Sequence, residues 1–160
     1  MVRPGSVSSV TIAPRGMAMG YMRQSPQADY YLYTKQDLLD QIAVCLGGAV
    51  AEEQVLGSRS TGAVGDFERA VELAGKLIRS GLSDLGVFDA DLAPAQAIHE
   101  ETKKLISSQE EYVRKQIMVC KEKLQEVAEY LLAEEQIGGG EFRRIIGPTQ
   151  PLRQGMSEAS

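Results

Sequence analysis

The chain has 160 residues, a formal net charge of −5 and a hydrophobic content of 43%, with 24% charged residues. That is one domain's worth of chain, long enough to bury a core without disulfides or metal, and too apolar for wholesale disorder. With a pI near 5.0, and lysines and arginines interspersed with glutamates, there is no electrostatic footprint for a phosphate backbone, so nucleic acid is excluded as an expected partner.

Val10 to Ala13 form a short β-type run, stopped by Pro14-Arg15-Gly16. Met17, Met19 and Tyr21 then alternate with Ala18, Gly20 and Met22. This pattern predicts a hairpin. Gln24 to Tyr33 carries Ser25-Pro26-Gln27 and three tyrosines without helical period, which reads as a loop with extended pieces. Thr34 opens a helix: Thr34-x-x-Asp37 fits a capping box, and Leu38, Leu39, Ile42, Ala43, Leu46, Ala49 and Val50 follow at helical spacing.

Gly47-Gly48 falls inside this helix, where each glycine costs roughly 1 kcal/mol relative to alanine and close helix packing is the simplest reason for it. Gly57 ends the element. A second helix is expected from near Asp66, with Phe67, Ala70, Val71, Ala74, Leu77 and Ile78 on one face and Gly81 as its stop. Ser83 to Phe88 connects to a long helix with Pro94 in its first turn, and apolar residues from Ile98 to Leu132 keep steps of three and four. Ser107-Ser108 is its weak point. Gly138-Gly139-Gly140 ends the pattern, Glu141 to Ile146 reads as one short final helix, and residues 147–160 have the composition of a disordered tail.

Cys45 and Cys120 lie in apolar helical stretches with no Cys-x-x-Cys and no nearby histidine, so both read as small hydrophobes in a reducing compartment. No segment reaches the ~18 consecutive apolar residues of a membrane helix, and Gly5, Ser6, Ser8 and Ser9 interrupt any signal-peptide core at the start. The expected location is cytoplasmic.

A catalytic zinc needs about three protein ligands and an open position, commonly two histidines four apart on a helix with a glutamate beside the first. The single histidine, His99, begins a His99-Glu100-Glu101-Thr102-Lys103 run that puts Lys103 where the second histidine would stand. His99 is therefore expected on a solvated face. Asp66, at the start of a helix, would on physical grounds alone be a cap or a partner of the helix dipole.

Several segments in order carry a family resemblance. Thr11 to Tyr21, Tyr31 to Asp40, the Gly47-Gly48 helix from Ile42 to Glu53, Ser60-Thr61-Gly62-Ala63-Val64-Gly65-Asp66-Phe67-Glu68-Arg69-Ala70, and Leu82 to Gly86 together resemble the peptidase domain of the FtsH-type ATP-dependent metalloproteases. The resemblance runs from about Val10 to Ile146 and implies a mainly α-helical peptidase domain with a small N-terminal β-hairpin. It places the family's third zinc ligand on Asp66.

The resemblance also implies zinc as the family's cofactor, protein substrates, an AAA+ ATPase module, a membrane anchor elsewhere and hexameric rings. Three departures accompany it. Gly65 stands where family members commonly carry Asn, and the family's His-Glu-x-x-His helix has no counterpart in these residues; nor does the phosphate loop of the ATPase. No catalytic residue is assigned, and tightly held zinc is not expected. The chain then reads as part of an FtsH-type peptidase domain, inactive alone. The alternatives are a degenerate homologue serving as scaffold or regulator in protease rings, and a helical protein-interaction domain.

Overall fold

The structure is a computed structural model that describes residues 7–13, 21–24, 32–89 and 94–147. Among the described residues, five α-helices and three short strands divide between two units, one of residues 32–89 and 94–119 and the other of residues 7–13, 21–24 and 120–147. The mainly α expectation holds.

The first unit is a three-helix assembly of α1 (Lys35–Leu56), α2 (Val64–Arg79) and α3 (Ala95–Val119). The expected capping box opens α1: the Asp37 N–H donates to Thr34 Oγ1 at 3.2 Å, and the Thr34 N–H donates to Asp37 Oδ2 at 3.0 Å. At its other end Gly57 takes φ 79°, and its N–H donates to the Glu53 carbonyl. The stop after α2 is a Schellman motif. Gly81 at φ 68° donates to the Ile78 carbonyl and Leu82 to that of Leu77, which satisfies two carbonyls the helix leaves open.

Leu38, Ile42, Leu46 and Val50, four residues apart, present one ridge of α1 to Ala70, Leu73, Ala74, Leu77 and Ile78 of α2 and to Leu105 and Val113 of α3. Ala70 and Ala74 are fully buried, and alanines at a helix contact let the backbones approach closely. Each large side chain buried here contributes about 1.5–3 kcal/mol.

The glycine pair does not have the role expected of it. A Cβ built on Gly47 or Gly48 meets nothing within 4 Å, so close packing within this unit is not their reason. Val44 and Val55 are exposed along the same side of α1, and Val44, Gly48, Ala51 and Val55 follow one another at helical spacing. α1 is thus apolar both toward its core and away from it, the pattern of a helix covered on two sides.

The second unit holds a three-stranded antiparallel sheet in the order β2-β1-β3, formed by β1 (Val7–Thr11), β2 (Tyr21–Gln24) and β3 (Gln136–Gly138). β1 and β2 are the expected hairpin partners, with Val10 opposite Met22; of the alternating run, Met17 to Gly20 lies outside the described residues. β3 was not legible: its last residue, Gly138, opens the glycine run that reads as a helix stop, yet Ile137 pairs with Val10 and is buried. α4 (Lys121–Glu134) and α5 (Gly139–Ile146) complete the unit, and Val127, Leu131 and Ile137 form its core with Val10, Tyr130, Phe142, Ile145 and Ile146 around them.

The long helix expected after Pro94 breaks at Cys120, not at Ser107-Ser108. Cys120 has φ −101° and ψ 13°, and α4 starts anew after it. The apolar steps of three and four continue across that point, so periodicity alone does not report the break. Ser108 stays helical, with its hydroxyl donating back to the Leu105 carbonyl at 2.9 Å. The expected final helix is present, begun two residues earlier at Gly139; residues 148–160, expected as a tail, lie outside the described residues.

Candidate metal-ligand turn

The segment from the end of α1 to the first turn of α2 places the one metal-ligand candidate. After Gly57 the chain runs through Ser58 to Ser60, makes a single 3-10 turn over Thr61–Ala63 and enters α2 at Val64 without a gap. Ser60 caps the 3-10 turn, its Oγ accepting the Gly62 N–H at 3.2 Å. Glu52, at the end of α1, accepts both the N–H and the hydroxyl of Ser60, at 3.0 and 3.1 Å. Arg59 donates to Glu53 Oε2 at 2.6 Å and also to Glu110 of α3.

Asp66 is the third residue of α2 and is exposed. It does not cap the helix: the residue before α2 is Ala63, and no side chain caps that end. Its carboxylate instead lies in the first turn, where it interacts favourably with the positive end of the helix dipole. On α1, the half-buried Cys45 thiol is pushed up first by burial and then by the charge of Asp66, with Arg69 opposing. Gly65 has open space where a side chain would stand.

One carboxylate of this kind fits zinc as a single oxygen donor and no more. Among the described residues no group of three or more histidine, cysteine, aspartate or glutamate side chains converges on a point. His99 is exposed near the start of α3, and the structure does not bring it into a ligand set. Both cysteines are free and half-buried.

Three acids escaped the sequence reading. Glu101, inside the His99-Glu100-Glu101 run that reads as a solvated face, is 7% exposed and accepts the Asp84 N–H at 3.2 Å. It satisfies the turn after α2, and its burial shows only once α3 is packed. Glu52 and Glu53 look like an ordinary polar helix end. The available signal was the Arg59-Ser60 pair six to eight residues downstream, a cation and a hydroxyl within reach of both acids.

The pattern of peptidase family M41 matches residues 3–95, more than half of the chain. The chain is 36% identical over 163 residues to an ATP-dependent zinc metalloprotease FtsH of Kosmotoga olearia, covering 88% of this chain and 25% of that protein. It is 35% identical over 162 residues to an FtsH of Syntrophobacter fumaroxidans, covering 87% and 25%, and 35% identical over 167 residues to an FtsH of Thermotoga maritima, covering 88% and 27%. The chain spans about a quarter of the length of these relatives. Among the described residues no helix is long and apolar enough to cross a membrane. The helical assembly, the Ser60 to Ala70 turn and these likenesses agree: this chain belongs to peptidase family M41, the FtsH-type metalloproteases.

Proposed function

We propose that residues 10–146 are part of the peptidase domain of an ATP-dependent zinc endopeptidase, and that Asp66 supplies one ligand of its metal site. The observation that carries this reading is the placement of Asp66: an exposed carboxylate in the first turn of α2, directly after a pinned turn, within the region that matches the family. Zinc, when bound, would supply Lewis-acid chemistry for peptide hydrolysis. This chain's contribution is one oxygen donor held at a fixed helix end. The two histidines and the general base would come from a His-Glu-x-x-His helix outside these 160 residues.

On this reading the 160-residue chain alone does not cleave peptide bonds, since one carboxylate cannot hold zinc against water. The apolar outer side of α1, with Val44, Gly48 and Val55, supports the same view, because further peptidase structure would cover it. Protein substrates, an AAA+ ATPase module and ring assembly follow as properties of the larger protein. A scaffold or regulatory role in protease rings is the second reading, favoured by a helical unit in which α1, α2 and α3 share one buried cluster formed by this chain's own residues.

Joining this chain to a relative's upstream segment that carries His-Glu-x-x-His tests the choice. Stoichiometric zinc and casein cleavage, both lost in Asp66→Asn, are expected. A joined protein that binds zinc equally well with Asn at position 66 would overturn the ligand assignment, and one that folds yet never cleaves would favour the scaffold.

A further inference from the structure

We propose that Glu52 and Glu53, consecutive at the end of α1, are positioning residues for Asp66: they hold the Arg59-Ser60 turn and so set where α2 begins. The proposal rests on the reading of Asp66 as a metal ligand. Each acid grips one residue of the turn. Glu52 Oε2 accepts the Ser60 N–H at 3.0 Å and its hydroxyl at 3.1 Å. The same hydroxyl oxygen accepts the Gly62 N–H at 3.2 Å, which its two lone pairs permit while its proton is given to Glu52. That second bond closes the 3-10 turn over Thr61–Ala63, which continues without a break into α2.

Glu53 Oε2 accepts from Arg59 Nε at 3.1 Å and Nη2 at 2.6 Å, while Arg114 of α3 donates to the same oxygen at 3.2 Å. Arg59 also reaches Glu110 of α3. Adjacent residues of a helix point about 100° apart, so the two acids restrain the turn in two directions, one toward the start of α2 and one toward α3. Isolated exposed ion pairs contribute little to global stability. Bonds that converge on a two-residue turn instead fix local geometry, and here that turn lies six residues before the candidate ligand.

The test has two arms. In the 160-residue chain, amide hydrogen exchange at Gly62 is measured for Glu52→Ala, Ser60→Ala and Glu53→Ala, with Glu141→Ala, whose partner is Arg144, as a surface control. Exchange should rise roughly fivefold in Glu52→Ala and Ser60→Ala, as for a lost cap, less in Glu53→Ala, and not in the control. Unchanged Gly62 exchange in Glu52→Ala and Ser60→Ala overturns the proposal.

In the joined protein carrying a His-Glu-x-x-His segment, zinc affinity should fall by about tenfold or more in Glu52→Ala, as for loss of a residue supporting a ligand. Ser60→Ala should fall alike, which a direct ligand role for Glu52 would not produce. Glu52→Gln, which keeps an oxygen for Ser60, should recover most of the affinity. If Asp66→Asn abolishes zinc binding while Glu52→Ala and Ser60→Ala leave it intact, positioning fails and the ligand reading stands. If Asp66→Asn has no effect, the ligand reading fails and the proposal with it.

Discussion

Gly139 starts α5 directly against the Val7 carbonyl of β1, and a Cβ built on it would collide with that oxygen. The carbonyl also accepts from Arg143 Nη1 at 3.3 Å, one turn into the same helix. Backbone stands on both sides of the contact, so neither partner can give way cheaply. Gly139→Ala should destabilise the second unit by about 1–3 kcal/mol, whereas Gly140→Ala, which meets nothing within 4 Å, should not. Urea unfolding of the two variants makes the comparison.

Leu77 is fully buried between α1 and α2. Leu77→Ala should cost about 2–5 kcal/mol from lost transfer energy and the cavity left behind. Val71→Ala lies on the same helix with half its surface exposed (51%) and should stay within about 1 kcal/mol. Equal losses in the two would mean that α2 is not packed as described.

Glu135 is the only non-glycine at positive φ among the described residues, at φ 59°. It closes α4 through its N–H to the Leu131 carbonyl, and its own carbonyl accepts from the Ile12 N–H and the Thr11 hydroxyl. Those bonds are all to backbone atoms of Glu135, so glycine would keep them and remove the left-handed strain. Glu135→Gly should raise thermal stability slightly, by about 0.5 kcal/mol after the entropy of glycine is subtracted.

The Glu53 carboxyl is held below the ordinary carboxylate range by its hydrogen bonds to Arg59, with Arg114 adding to the effect. A group whose folded pKa is depressed contributes stability above its unfolded value, near pH 4.5, and loses it as pH falls through the folded value. The chain should therefore lose stability below about pH 4.5, and Glu53→Gln should flatten that acid limb. Midpoints of urea unfolding between pH 3 and pH 7 report it.

The helices of the first unit were legible because each of their signals is local: the Thr34 cap, the four-residue apolar steps, and Gly57 and Gly81 at the stops. What the sequence hid depends on distant chain. β3 is three residues whose identity as a strand comes only from pairing with β1, and Glu101 reads as solvated until the turn at Asp84 donates to it. The break at Cys120 carries no glycine or proline. At the candidate site, the family pattern pointed to Asp66. Its place as the third residue of α2, not its cap, follows from the 3-10 turn that Ser60 closes.

Zinc content of the purified 160-residue chain, measured after dialysis against a weak chelator, tests most directly the claim that this chain supplies one ligand to a site completed from outside it. We predict under about a tenth of an equivalent, because a lone exposed carboxylate cannot compete with water and chelator. One equivalent of zinc bound at Asp66, with the remaining ligands drawn from this same sequence, would contradict the account.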